Sequence, residues 1–574
     1  MVMARIRLVE IENFRGIKTL KWQPKNGINC LVGPGDSCKT TILDAIDLCM
    51  SARRNLQFTD ADFHGLEVES PVSITCTIGA LEDRLKSIDA YGLYVRSFDP
   101  ATGEVEDEPA KGRETVLTLN LTITSDLEPA WSLVSNRAAA QGQSRNLSWA
   151  DRQRISPTRI GAGADQNLVW RRGSILNKLS DEKADASVAL VEAAREARTA
   201  FGDKAGKELV AALSAVKEAA ADLGIPVGGD VRAMLDAHSV SFSGGTISLH
   251  SEGGVPLRAL GVGSTRLLIA GLQRKAAKEA SVLLVDELEH GLEPHRILRL
   301  LHSLGSKEAG EPIQGFLTTH SPVALQELSG SQLWVVRHND GGVHVECVGA
   351  DDDVQSTIRL FPEAFLARSV IVCEGASEVG LLRGLDRCRV AAGKPSLMAL
   401  GVALVDAGGV DKIYKRANAL RKLGYRCQVL RDDDVQPDAA EEKAFVEGGG
   451  ELTMWSNGRK LEQEVFLCLD DDAIGALLDY AEELHDASHL NDHIKSVSGG
   501  VDTYNDLRAE MLGGSLTGPQ RELLGNASSL KKKGWFKSIT WMEEATVRAI
   551  GPGLVQATGE LGVKVEKLIA WAVM

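Results

Sequence analysis

The sequence predicts an α/β protein of more than one domain, and three observations point that way. Strand-length apolar runs give way to helical periodicity: Ile28-Asn29-Cys30-Leu31-Val32 enters a glycine-containing loop, after which Ile42, Leu43, Ile46 and Leu48 recur at helical spacing. Later runs, Val282-Leu283-Leu284-Val285, Val370-Ile371-Val372 and Gln428-Val429-Leu430, lead into acidic residues before the next helical stretch. At 574 residues the chain exceeds what one hydrophobic core organises, so two or three domains are expected.

The elements follow in order. Ile6, Leu8 and Ile11 mark a first amphipathic strand ahead of Asn13-Phe14-Arg15-Gly16. Alternating strands come next, among them Val72-Ser73-Ile74-Thr75-Cys76-Thr77-Ile78 and Val116-Leu117-Thr118-Leu119-Asn120-Leu121. The stretch 136–175 is rich in Ser, Arg, Gly and Gln and reads as loop. Residues 180–223 are alanine-rich, with Leu209, Leu213, Val216, Ala220 and Leu223 on one helical stripe, either a dimer contact or a core face. The earlier pattern resumes near Ser239 and runs to Leu333-Trp334-Val335-Val336. A loop with Asp351-Asp352-Asp353 and Pro362 then places a boundary near 350–366.

Composition narrows the class. Hydrophobic residues at 44% and charged residues at 25% are those of an ordinary globular chain, and the longest apolar runs fall far short of a membrane span. The start, Met1-Val2-Met3-Ala4-Arg5, has no apolar signal core, and nine cysteines without CxxC pairs suit reduced thiols, so a cytoplasmic protein is expected. A net charge of −15 is unusual for a nucleic-acid enzyme, but binding follows the local field rather than the total. Two basic patches qualify. Lys412, Lys415, Arg416, Arg421, Lys422 and Arg426 form either a solvated helix face or a polyanion surface. Lys531-Lys532-Lys533 with Lys537 lies beside Trp535 and Phe536, which suits nucleic acid better.

Gly33-Pro34-Gly35-Asp36-Ser37-Cys38-Lys39-Thr40 stands between a buried strand and a helix start, where a phosphate loop works. Backbone N–H groups and the helix end cradle phosphates, Lys39 reaches the outer ones, and the Thr40 hydroxyl takes Mg²⁺. Cys38 replaces the usual glycine; a residue entering a helix does not need positive φ, so closure of the loop is expected. Asp286 and Glu287 end the Val282–Val285 strand, where they would hold the Mg²⁺ water shell and polarise attacking water. Upstream lies Leu260-Gly261-Val262-Gly263-Ser264-Thr265-Arg266; downstream, His320 ends Phe316-Leu317-Thr318-Thr319. Together with Glu289-His290-Gly291-Leu292-Glu293-Pro294 and the Arg15 segment, these resemble the ABC ATPases of the RecF, SMC and OLD group. The resemblance implies ATP as ligand, a γ-phosphate-sensing role for His320, and Ser264 contacting the nucleotide of a second subunit.

Glu374 and Glu378 are four apart at a helix start, so they can face one point. Asp432 and Asp434 alternate at a strand end while Asp433 points away. Clustered carboxylates repel unless a cation sits among them, and oxygen ligands suit Mg²⁺ or Mn²⁺. A glutamate strand, an αβ unit through Val402-Ala403-Leu404-Val405-Asp406, and then a DxD strand resemble the Toprim domain of OLD-family nucleases. That resemblance implies Glu374, Glu378, Asp432, Asp434 and Glu462 as ligands of two metals, with Glu464 a rival to Glu462. It also implies Lys537 as the lysine facing the scissile phosphate, with Ser456 assisting a metal.

The expected organisation is therefore an ABC-type ATPase in residues 1–175 and 239–350, an inserted helical dimerisation segment at 176–238, and a Toprim domain at 366–574. The implied activity is an ATP-regulated DNA endonuclease in anti-phage defence, as in OLD-family and Gabija-type nucleases, working as a homodimer or higher oligomer with a helicase as a possible partner. Two alternatives stay open: a repair ATPase whose Toprim domain only binds DNA, and a toxin-like nuclease acting on RNA.

Overall fold

The computed structural model describes residues 4–52, 56–161, 167–168, 174–176, 192–193, 195–197, 200–201, 209–222, 249–254, 256–275, 282–308, 313–339, 342–531 and 533–574. The chain forms two compact units, Met1–Cys30 with Thr40–Thr319, and Leu31–Lys39 with His320–Met574. No helix among the described residues is long and apolar enough to cross a membrane.

The first unit begins with β1 (Arg5–Phe14), β2 (Ile17–Trp22), β3 (Ile28–Val32), β4 (Val72–Gly79), β5 (Arg96–Phe98), β6 (Val105–Glu106), β7 (Glu114–Ile123) and β8 (Pro129–Leu133). All but β3 form an antiparallel sheet in the order β2-β1-β4-β7-β5-β6, with β8 also on β7. Alternation along these strands buries one face, with Val72, Ile74, Cys76 and Ile78 of β4 packed beside Leu117, Leu119 and Leu121 of β7. Trp131 on β8 donates its indole N–H to the Leu48 carbonyl (3.3 Å), fastening the helix Lys39–Met50 to this sheet.

A parallel ladder follows from β9 (Thr158–Ile160), β10 (Val282–Val285) and β11 (Gln314–Thr318), with β10 in the middle and wholly buried. Such strands read as continuous apolar runs because both faces are covered. Gln314 is buried in this ladder, yet its amide is satisfied: it accepts the Ile6 N–H (2.8 Å) and donates to the Ile6 and Lys25 carbonyls (2.9 Å each).

The stretch 136–175, expected to be loop, instead contributes helices Asn136–Ala140 and Trp149–Ile155 as well as β9. The reason is local. Ser148, counted among the loop formers, and Ser135, just ahead of the stretch, are helix N-caps that accept the Asp151 and Ala138 N–H groups. Most of the expected helical segment 176–238 lies outside the described residues; within it, Val210–Asp222 is helical, with Leu209, Val210 and Val216 exposed.

The second unit carries an antiparallel pair, β12 (Leu333–Asn339) and β13 (Gly342–Cys347), and then a parallel sheet of β14 (Ser369–Cys373), β15 (Val402–Asp406), β16 (Arg426–Arg431) and β17 (Glu451–Met454). Its order is β15-β14-β16-β17. Helices Ala376–Ala391 and Val410–Lys422 make the crossovers. The remainder, from Leu461 onward, is helical and packs a continuous core around Trp455, Phe466, Trp535 and Trp571.

Gly380 and Gly384 let the helix Ala376–Ala391 approach Ile539–Ala545 closely; a Cβ on Gly384 would lie 2.4 Å from Thr546 Cβ and 2.6 Å from the Glu543 carbonyl. Gly384→Val therefore forces the helices apart, and a loss of about 1–3 kcal/mol is expected, read as a lowered thermal midpoint.

Candidate functional site

The phosphate loop follows β3. Lys39 folds back on its own loop, its ammonium donating to the Gly33 and Pro34 carbonyls and to Ser37 Oγ (3.2, 2.7 and 3.2 Å). Gly33 has φ +143°, and a Cβ there would stand 2.5 Å from the Val336 carbonyl, so no side chain fits. Gly35 has no such neighbour within 4 Å. Asp36 and Cys38 have φ +59° and +67°. Cys38 thus occupies the left-handed region after all, against the expectation that this position needs no positive φ, and the missing glycine leaves strain in the loop. Burial raises its thiol above the ordinary pKa, with Lys39 opposing and Asp36 adding, which disfavours the thiolate.

In the first unit, the Thr40 hydroxyl donates to Asp286 Oδ1 (3.0 Å), and Thr318 Oγ1 donates to the same oxygen (2.7 Å). Glu287 follows with φ +47°, its N–H on Thr318 Oγ1 (2.8 Å) and its carboxylate largely exposed. Arg266, on the buried side of the helix Val262–Lys275, caps the Asp286 and Glu287 carbonyls (2.7 and 2.8 Å) and so ties that helix to the acidic strand end. Ser264, on the same helix, accepts from Arg296 (3.3 Å). A Cβ on Gly263 would collide with the Gly291 carbonyl at 2.3 Å. Arg15 pairs with Asp62 (2.9 Å) and Asp44 (2.5 Å), linking its loop to the first helix. His320 follows β11 and is exposed.

Sequence reasoning missed Arg159. On β9 it reaches Asp44 (2.6 Å), Asp47 (3.4 Å) and Asp286 (3.5 Å), a cation among three carboxylates. Alternation in Thr158-Arg159-Ile160 was the available signal, too short to stand out in a polar stretch.

The second unit gathers its acids at the carboxyl ends of adjacent parallel strands, β14 and β16, as open α/β sheets favour. Cys373 stands opposite Leu430, so Glu374 and Asp432 emerge side by side; the Asp432 N–H donates to Glu374 Oε2 (3.0 Å). One oxygen each from Glu374, Asp432 and Asp434 lies within 4.8 Å of the others. Asp433 turns away as expected, accepting the Gly458 N–H (2.7 Å) while its own N–H donates to the Arg459 carbonyl (2.9 Å). That staple leads the chain into Leu461, whose N–H donates to Asp432 Oδ1 (2.9 Å).

Glu378 lies in the first turn of its helix, is buried, and accepts the Gly375 N–H (2.9 Å). Glu462 is 1% exposed; one oxygen meets Lys537 Nζ (2.9 Å) and Ser377 Oγ (3.4 Å). Glu464, the rival, pairs instead with Arg459 (3.2 Å). Ser456 is held by Glu560 (2.7 Å) and Lys564 (2.6 Å).

Burial pushes Glu378 well above the carboxylate range, with the charges of Asp432 and Glu462 adding. It does the same to Asp432, reinforced by Glu462 and Glu374 and opposed by the Leu461 N–H. Glu374 is raised by burial and Asp434, against the Asp432 N–H. Lys537 rises because Glu462, Asp432 and Glu378 outweigh its own burial. A hard divalent cation fits this oxygen-only donor set, and its charge would relieve the repulsion.

The aromatic neighbours of Lys537 are not a stacking surface. Trp535 and Phe536 are 0% and 2% exposed. The Trp535 indole N–H donates to His493 Nδ1 (3.2 Å), its carbonyl accepts from His485 (2.9 Å), and Phe536 stacks on Tyr480. Lys532 lies outside the described residues. In the other basic patch Arg416 is buried on the Asp406 carbonyl, Arg421 donates to Phe445 and Arg426 to Trp571, which leaves Lys412, Lys415 and Lys422 exposed. Helical spacing had placed all six together because it carries no information on which guanidinium turns inward.

Two outcomes follow. Cys38→Gly should stabilise the fold by about 0.5–1 kcal/mol and Cys38→Val should destabilise it by more, read as opposite shifts in thermal midpoint. Glu374→Gln with Asp432→Asn keeps both accepted N–H bonds while removing like charge. Without metal it should be more stable than the parent by about 1 kcal/mol or more, and it should lose the rise in midpoint that Mg²⁺ gives the parent.

Comparison with known proteins supports two parts. A family model described as "AAA domain, putative AbiEii toxin, Type IV TA system" matches residues 28–326, more than half of the chain. A second, described as "Overcoming lysogenization defect protein-like, TOPRIM domain", matches residues 365–434. A curated relative, the DNA replication and repair protein RecF of Chlorobium luteolum, is 44% identical over 45 residues, 8% of this chain and 12% of that protein, so the chain matches only a small part of its length. Among solved structures, the Smc head domain from Pyrococcus furiosus bound to the C-terminal domain of ScpA is 15% identical, with a TM-score of 0.35, covering 60% of this chain and 96% of that one. RecF bound to ATP is 12% identical, with a TM-score of 0.31, covering 60% and 100%. With the phosphate loop, the acidic strand ends and both family matches in place, the chain belongs to the AAA-domain family of the first model and carries, at residues 365–434, a Toprim domain of the OLD-like type.

Proposed function

We propose that this protein is an ATP-regulated, divalent-metal-dependent DNA endonuclease of the cytoplasm that acts against phage or other foreign DNA. The observation that carries the reading is the convergence of Glu374, Asp432 and Asp434 to within 4.8 Å at the ends of neighbouring strands. Glu374, Glu378, Asp432, Asp434 and Glu462 would hold Mg²⁺ or Mn²⁺. A cation bound there lowers the pKa of water and neutralises charge on a phosphodiester. Lys537 adds a positive charge for the scissile phosphate, its backbone anchored by the buried Trp535-Phe536 pair beside it.

In the ATPase part, Gly33, Gly35 and Lys39 cradle the phosphates of ATP. Thr40 and Asp286, already joined through a hydrogen bond, hold its Mg²⁺, and Glu287 orients the attacking water. Arg15 steadies the first helix through Asp44, Ser264 faces the nucleotide of a second copy, and His320 senses the γ-phosphate. The working form is accordingly a homodimer or higher homo-oligomer, with the 176–238 segment contributing to pairing and a helicase as its partner. ATP-dependent pairing then biases the nuclease sites between two arrangements.

The test is cleavage of plasmid DNA with Mg²⁺, Mn²⁺ and ATP varied independently. Glu374→Ala and Asp432→Ala should each lower metal-dependent cleavage by about a hundredfold or more while ATP binding persists. Undiminished cleavage by either variant would remove the nuclease assignment.

A further inference from the structure

Five acidic side chains surround the second site, and they do not share one environment. Glu374, Asp432 and Asp434 bring oxygens within 4.8 Å of one another. Glu378 and Glu462 lie deeper, 4% and 1% exposed; the charge of Glu462 acts on Asp432, and that of Asp432 on Glu378. In this inner group Glu462 Oε1 meets the Lys537 ammonium at 2.9 Å and the Ser377 hydroxyl at 3.4 Å. Its other oxygen, Oε2, is buried with no hydrogen-bond partner. A buried carboxylate oxygen left without a partner is costly, which points to a ligand for it. Lys537 is the cation touching this inner group, and its side chain is still about one-third exposed, so it has a path outward.

We propose that Lys537 is an internal counterion of the inner acid group: its ammonium stands where a second divalent cation binds against Glu378, Asp432 and Glu462, and binding of that cation displaces it outward to the phosphodiester. The inference rests on the metal-dependent nuclease reading and adds an order of events. In the outer site Lys460 stands 3.5 Å from Asp434 and is shared with the Ser529 carbonyl, while among the described residues no lysine pairs with Glu374 or Asp432, so this site fills first. The inner site fills only by exchanging one charge for another, and that exchange delivers the lysine. The packing supports a lysine that swings while its backbone stays fixed. Trp535 and Phe536 are anchored in the core, and Gly534 leaves room for the lysine stem, since a Cβ there would come within 2.7 Å of Lys537 Cγ and Cε.

The test is Mn²⁺ binding by the full-length chain, followed by calorimetry and by the paramagnetic signal of free Mn²⁺, with plasmid cleavage measured in parallel. The parent should bind in a tighter and a weaker step. Lys537→Met should tighten the weaker step by about tenfold or more, because a positive charge has been removed from contact with the incoming ion, while cleavage falls. Lys537→Arg keeps the charge and should leave the weaker step near that of the parent, and melting curves confirm that each variant is folded. A weaker step that is unchanged or loosened in Lys537→Met overturns the counterion role even where the parent binds Mn²⁺ and cuts DNA. A parent that cuts DNA but binds one Mn²⁺ overturns it as well, whereas a parent that binds no Mn²⁺ removes the underlying metal-site reading.

Discussion

Carboxylates that repel one another are held together at the mouths of two neighbouring parallel strands, and much of the second unit is arranged to keep them there. The in-register pairing of β14 with β16 fixes where Glu374 and Asp432 leave the sheet. Main-chain donors then hold three of the acids through one oxygen each: Asp432 N–H on Glu374, Leu461 N–H on Asp432, Gly375 N–H on Glu378. Backbone donors suit this task because they fix position without filling the space between the side chains. The cost is a cluster whose ionised form is disfavoured until a cation arrives, a trade of stability for chemistry that functional sites often show.

The first unit solves a related problem with different means. Asp286 also ends a buried parallel strand, but it is met by two hydroxyls and by Arg159, and Arg266 caps the carbonyls behind it. Neutral and cationic partners hold that acid in position, so it suits a standing role beside a nucleotide. The inner acids of the second unit have fewer such partners and stay poised for an ion. Surroundings, more than residue type, separate the two kinds of carboxylate.

Much of this was legible in the sequence because period and punctuation carry it. Continuous apolar runs marked β10, β14 and β16, and the acids that followed them marked the strand ends. What failed did so for identifiable reasons. Ser148 was weighed as a loop former when it is a cap, and the polar stretch around it hid two helices, so β9 and Arg159 went unseen. Trp535 and Phe536 beside lysines looked like a nucleic-acid surface, but composition cannot say which way a ring faces, and both rings point into the core. The positive φ of Cys38 needed coordinates, since a cysteine before a helix gives no sign that the chain has turned left-handed.

The run Asp432-Asp433-Asp434 joins two trades in three adjacent residues. The outer pair faces the ion pocket, and the middle one fastens the loop at Gly458. Which acid does which is a matter of odd and even places along an extended chain, not of chemical identity. A single residue gained or lost within β16 would exchange the parities, turning the fastener into the pocket and the pocket residues outward, with the acidic composition unaltered. The motif is therefore protected against substitution by likeness and exposed to frame, so that length in this strand is guarded as closely as any side chain.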